Sequence, residues 1–106
     1  MRDITVTELK EKMDNNESFI FIDVREPFEY EQFSLGAQLI PLGDFPRAIP
    51  GLEPHKEEEI IIHCRSGKRS GAAKDILVQL GFKNVRNVLG GVLDWQSQIL
   101  QVDKPS

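Results

Sequence analysis

Cys64 is the only cysteine in the 106 residues, and Arg65-Ser66-Gly67-Lys68-Arg69-Ser70-Gly71 follows it directly. A single thiol forms no intrachain disulfide, so it is an inert core residue, a reactive nucleophile or an intermolecular crosslink. Arg65, Lys68 and Arg69 make a cationic loop in a chain whose formal net charge is −4, and an apolar pocket for an inert thiol would not be lined that way. A short loop with a glycine at its centre lets successive backbone N–H groups converge on one point. The helix after it adds free N-terminal donors and the positive end of its dipole. Such a loop is an anion cradle. A thiol held in it ionises more readily than a free cysteine of pKa about 8.5, reaching roughly 3.5 to 7.5 in comparable surroundings. The thiolate is the attacking form.

That chemistry requires a strand to deliver Cys64 and a helix to leave the loop. Glu59-Ile60-Ile61-Ile62-His63-Cys64 reads as a buried strand. Beyond the loop, Ala72, Ala73, Ile76, Leu77 and Leu80 fall on one side of a helix that Gly81 stops. Upstream, Thr7 is a plausible N-cap for a helix over residues 8–15, and Phe19-Ile20-Phe21-Ile22 is a second buried strand ending at Asp23. Pro27 starts a short helix within residues 25–33, Leu39-Ile40-Pro41-Leu42 is a brief strand, and an irregular, partly helical stretch passes Pro46, Pro50, Gly51 and Pro54. Residues 85–89 form a last strand, Gly90-Gly91 a turn and residues 92–100 a final helix. Strands alternating with helices, with no hairpin signal, indicate an α/β domain with a mainly parallel sheet. Residues 1–101 read as a single domain and 102–106 as a fraying tail. In such sheets ligands bind beyond the carboxyl ends of the strands, which is where Cys64 falls.

Composition narrows the partners. An acidic chain lacks the Lys and Arg excess on which phosphate-backbone affinity rests, so nucleic acid is not expected. No apolar run approaches the roughly 20 residues of a spanning helix, and the N-terminus lacks the apolar stretch of a signal peptide, so the expectation is a cytoplasmic protein without a membrane partner. His55 and His63 with one cysteine make no zinc set, and no metal or organic cofactor is expected.

Cys64-Arg65-Ser66-Gly67-Lys68-Arg69-Ser70 resembles the active-site loop of the rhodanese family. Three further segments are similar to that family in the same order: Asp23-Val24-Arg25-Glu26-Pro27-Phe28-Glu29-Tyr30, then Gly36-Ala37 with Ile40-Pro41-Leu42, and Gly90-Gly91 with Trp95 behind it. Together they extend over nearly the whole chain. The resemblance implies a three-layer α/β fold with a central five-stranded parallel sheet and helices on both faces. It also implies a sulfurtransferase cycle in which Cys64 takes the outer sulfur of a small anionic donor such as thiosulfate as a persulfide. A thiol, cyanide or a sulfur-accepting protein then removes it.

In that reading backbone N–H groups across Arg65, Ser66, Gly67, Lys68 and Arg69 hold the terminal sulfur, Arg65 and Lys68 attract the donor, and Asp23, Arg25 and Ser70 support the loop. The alternative for Asp23 and Arg25 is a helix cap with a surface ion pair. Gly90 and Gly91 serve either a close backbone approach or a turn. Trp95 is expected to pack, Phe28, Tyr30 and Phe33 are candidates for one wall of the entrance, His55 is expected to be solvated, and strand alternation turns His63 away from Cys64. The chain departs from the family in carrying Ser34-Leu35 where many members have His-Ile.

Two other functions compete. Phosphatase or arsenate-reductase chemistry uses a cysteine loop with five residues between cysteine and arginine, whereas four separate Cys64 from Arg69 and the next position is Ser70. The shorter loop suits one sulfur atom better than a phosphoryl group. A non-catalytic relay or partner-binding module is the other rival, and Ile40-Pro41-Leu42-Gly43 is reminiscent of domains fused to enzymes that activate sulfur carriers.

Overall fold

The computed structural model describes residues 2–100, so the tail expected at 102–106 lies outside the described residues. The first helix, α1 (Val6–Asp14), starts earlier than the expected Thr7 cap. Thr5 is the cap: its hydroxyl accepts from the Glu8 amide at 3.1 Å, and the Glu8 carboxylate accepts from the Thr5 amide at 2.9 Å. Thr-x-x-Glu satisfies two otherwise orphaned donors reciprocally, which a cap at Thr7 cannot do here.

Four strands follow: β1 (Ile20–Asp23), β2 (Gln38–Leu39), β3 (Ile60–His63) and β4 (Val85–Asn87). They form one parallel sheet in the order β2-β1-β3-β4. The expected fifth strand is absent among the described residues. Beside β4 there is only a one-residue parallel bridge between Ile4 and Val88, closed by Ile4 N to Asn87 O at 3.0 Å and Leu89 N to Ile4 O at 2.9 Å. The physical reason is the Thr5 cap, which turns the chain into α1 one residue after Ile4.

The connections are α2 (Pro27–Gln32), α3 (Phe45–Leu52), flanked by 3-10 turns at Leu42–Asp44 and Glu53–His55, and α4 (Lys68–Gln79). The chain then closes with α5 (Gly91–Asp94), which runs into a π-helical turn at Trp95–Leu100. Strand alternation divides the core into two layers. Ile22, Ile60, Ile62 and Cys64 join Phe45 and Leu52 of α3 and Ala73 and Leu77 of α4 on one face. Ile61, with Phe21 at its edge, joins Val6 and Leu9 of α1 and Trp95 on the other. Helices therefore cover both faces, and Ile60, Ile61 and Ile62 are all fully buried. On α4 the buried residues are Ser70, Ala73 and Leu77, while Ala72 and Leu80 are exposed, so the apolar stripe is narrower than the sequence pattern suggests. Among the described residues no helix is long and apolar enough to cross a membrane.

Candidate active site

β3 ends at His63, and Cys64 is the first residue of the loop that leads into α4. Gly67 is the N-cap of α4 and has φ +100°, a left-handed conformation that a side chain would strain. That turn brings the start of α4 back over the thiol. Cys64 Sγ accepts from Gly67 N at 3.1 Å, from Ser70 N at 3.4 Å and from the Ser70 hydroxyl at 3.3 Å. Burial pushes the Cys64 thiol up, but the Ser70 hydroxyl and the Ser70, Gly67 and Ser66 amides together outweigh it and hold the thiol below its ordinary value. The sulfur therefore sits over the first turn of a 12-residue helix, where the dipole also favours the anion.

The residues of the loop divide into three groups. Gly67 and Ser70 touch the sulfur directly, so Ser70, expected as support, lies in the first contact layer. Arg65, Ser66 and Lys68 are exposed, and among the described residues neither Arg65 nor Lys68 has a carboxylate partner. Arg69 differs from them. Its guanidinium makes a two-pronged pair with Glu29 of α2, at 2.7 and 2.9 Å, and this pair holds the Glu29 carboxyl down at about 2. The cationic character of the loop thus rests on Arg65 and Lys68.

Asp23 and Arg25 form a buried pair, not a surface one. Arg25 Nε and Nη2 donate to the Asp23 carboxylate at 3.1 and 2.8 Å, with side chains 4% and 0% exposed. The same guanidinium donates to the carbonyls of Phe33 at 2.6 Å and Glu29 at 3.4 Å. It therefore fixes the end of α2 against the end of β1. Since α2 carries Glu29, Asp23 and Arg25 reach the cysteine loop through α2 and Arg69, with no direct bond to Cys64 among the described residues.

His63 faces away from the sulfur, in contact with Phe21 at 5.3 Å between rings. The register pairs it with Asp23, whose carboxylate lies 3.6 Å from Nε2. Burial lowers the tendency of this imidazole to take up a proton, against the opposing pull of Asp23. His55 instead pairs with Glu58 at the surface, at 2.6 Å.

On the far side of the loop, Val92 N donates to the Cys64 carbonyl and Leu93 N to the Arg65 carbonyl, each at 3.0 Å. These bonds draw the carbonyls away from the cradle. They require Gly91, where a Cβ would collide with the Cys64 carbonyl oxygen and come within 2.7 Å of the Arg65 carbonyl. Gly91 therefore serves a close backbone approach. Trp95, 8% exposed, packs in the core. A cleft of about 310 Å³ opens beside Arg65, walled by Phe28, Glu29 and Phe33 on one side and by Val92 and Leu93 on the other. Tyr30 is not in that wall, and its hydroxyl donates to the Ala37 carbonyl at 2.9 Å.

Sequence reading missed Glu29 as the partner of Arg69, and Asn87, which touches both Ser70 and Gly67. Glu29 lies within the segment that resembles the family, but nothing local marks its partner 40 residues away. Asn87 reads only as a polar residue in a strand.

Residues 5–98 match the family described as Rhodanese-like domain. A sulfurtransferase of Allochromatium vinosum is 30% identical, over 99% of this chain and 97% of that one. The thiosulfate sulfurtransferase PspE of Escherichia coli is 39% identical over 70% of this chain and 71% of its own. The crystal structure of a rhodanese-related protein from Thermoplasma volcanium superposes with a TM-score of 0.80 at 31% identity, covering 93% of this chain and 94% of that one. Such similarity extends almost end to end and includes the loop built around Cys64, and the chain belongs to the rhodanese-like family.

Proposed function

We propose that this chain is a sulfurtransferase that accepts a sulfane sulfur from an anionic donor such as thiosulfate onto Cys64 and passes it to a thiol or cyanide. The observation that carries this reading is the convergence of Gly67 N, Ser70 N and the Ser70 hydroxyl on one buried sulfur. The Cys64 thiolate attacks the outer sulfur of thiosulfate, a Cys64 S–S bond forms, the sulfur–sulfur bond of the donor breaks, and its electron pair leaves with sulfite. Cys64 is left as a persulfide whose terminal sulfur carries one negative charge. Backbone N–H groups of the loop across Arg65 to Arg69, fixed before the reaction, stabilise such an anion without reorganising. Arg65 and Lys68, exposed at the mouth of the loop, attract the donor and offset the charge growing on sulfite.

The Glu29 pair also bears on the competing phosphatase chemistry. With its guanidinium held by a carboxylate, Arg69 is not free to embrace phosphoryl oxygens. The exposed ring of Phe28 on the cleft, 62% accessible, favours a protein or organic thiol over cyanide as the acceptor. The test is sulfite release from thiosulfate in the presence of a thiol acceptor. Turnover that disappears in Cys64→Ser is expected. Turnover that survives the substitution, or hydrolysis of an aryl phosphate that depends on Cys64, overturns the proposal.

A further inference from the structure

The Ser70 hydroxyl has one hydrogen and two acceptors. Cys64 Sγ lies 3.3 Å from the Ser70 oxygen and Asn87 Oδ1 lies 2.6 Å from it. Ser70 is fully buried and Asn87 is 8% exposed, so water does not readily replace either bond. The orientation of Asn87 is also determined. Its Nδ2 donates to the Gly67 carbonyl at 3.1 Å, its backbone N–H donates to the Asp3 carboxylate at 3.0 Å, and only Oδ1 is left to face Ser70.

We propose that Asn87 is a positioning residue that competes with the Cys64 sulfur for the single hydroxyl hydrogen of Ser70, releasing it to the thiolate and reclaiming it when Cys64 is loaded. While Cys64 is a neutral thiol, its S–H donates to the Ser70 oxygen and the hydroxyl donates to Asn87. When the thiol proton leaves to solvent, the hydroxyl rotates to the anionic sulfur and Asn87 Oδ1 is left buried without a donor, which costs free energy. Loading, the step that rests on the sulfurtransferase reading, moves the negative charge to the terminal sulfur. Sγ is then a neutral, weak acceptor, and the hydroxyl returns to Asn87. Asn87 thus opposes the free thiolate and favours the loaded form, while its Nδ2 separately holds the Gly67 carbonyl at the start of α4.

The test uses reduced, sulfur-free protein and reads the pH dependence of Cys64 alkylation by iodoacetamide. Ser70→Ala is expected to raise the thiol pKa. Asn87→Leu, of similar volume, is expected to lower it by about one pH unit, the scale of one hydrogen bond to the ionised form. In a Ser70→Ala background the same Leu substitution is expected to produce no fall, because the contested hydrogen is gone. A rise on Asn87→Leu, or an equal fall with and without Ser70, overturns the proposal, since Asn87 would then act through Gly67 alone. Asn87→Ala gives the same comparison should Leu prevent folding. No sulfur donor enters the measurement, so failure here is distinguishable from failure of persulfide formation.

Discussion

Glu29→Gln is the substitution whose consequences the structure specifies most fully. It keeps an oxygen for the Glu26 amide, which now donates to the Glu29 carboxylate at 2.9 Å, and removes both the charge that faces Arg69 and the acceptor that takes the second Arg69 bond at 2.9 Å. The side-chain bonds from Arg69 hold the carboxyl down from 4.5 to about 2, overcoming burial, with help from the Glu26 amide. That lowering corresponds to a ceiling of about 3 kcal/mol in favour of the folded state. Because the Arg69 side chain is 33% exposed, solvent screening reduces the expected loss to about 1 kcal/mol. In a domain of this size that is a fall in Tm of about 4–8 °C. The sign with pH follows from the folded value being the lower one. The contribution is complete above about pH 4.5 and is lost as pH falls toward 2. Thermal melts of wild type and variant at pH 7 and across the acid range are the assay: the gap is expected at pH 7 and should close toward pH 2. The released guanidinium adds a positive charge beside the loop, so KM for thiosulfate should fall roughly two- to fivefold with kcat little changed. A variant that melts with the wild type, with an unchanged acid profile and unchanged KM, refutes the role assigned to this pair.

Other substitutions probe separate parts of the molecule. Arg25→Ala leaves Asp23 buried and uncompensated and should cost about 3–5 kcal/mol in urea denaturation; a loss below about 1 kcal/mol would mean the pair is not the clamp described. Burial keeps His63 neutral in the folded protein. Protons taken up by the unfolded chain below about pH 6.5 should therefore erode stability, and His63→Leu should flatten that part of the pH profile without abolishing Cys64 reactivity. Gly91→Ala should push α5 off the Cys64 and Arg65 carbonyls and slow Cys64 alkylation at pH 7 at least tenfold, a loss of about 1.4 kcal/mol. An unaltered rate would show that the close approach does not shape the cradle.

The candidate site was legible because its residues are contiguous. Cys64, the glycine and the three cations occupy one short stretch, and the Ile60-Ile61-Ile62 run before them has a composition that suits a strand buried on both faces. The alternation that places Cys64 in one layer and His63 in the other follows from strand geometry alone. What stayed hidden depends on distant partners. Arg69 looks like a free cation until α2 brings Glu29 to it across 40 residues, and Asn87 acquires its role only when β4 sets it beside Ser70, 17 residues away in sequence. The fifth strand implied by the family resemblance shrinks to the Ile4 bridge because Thr5, not Thr7, satisfies the first turn of α1. A resemblance carried by motifs conveys the family's layout, whereas the length of an edge strand depends on local capping.

The central claim is that Cys64 carries sulfur. Intact mass measurement after exposure to thiosulfate tests it most directly: the expected result is a gain of one sulfur atom that a reductant removes and that Cys64→Ser never acquires. The absence of that adduct with thiosulfate, polysulfide and a persulfide donor alike, or its persistence in Cys64→Ser, would contradict the claim.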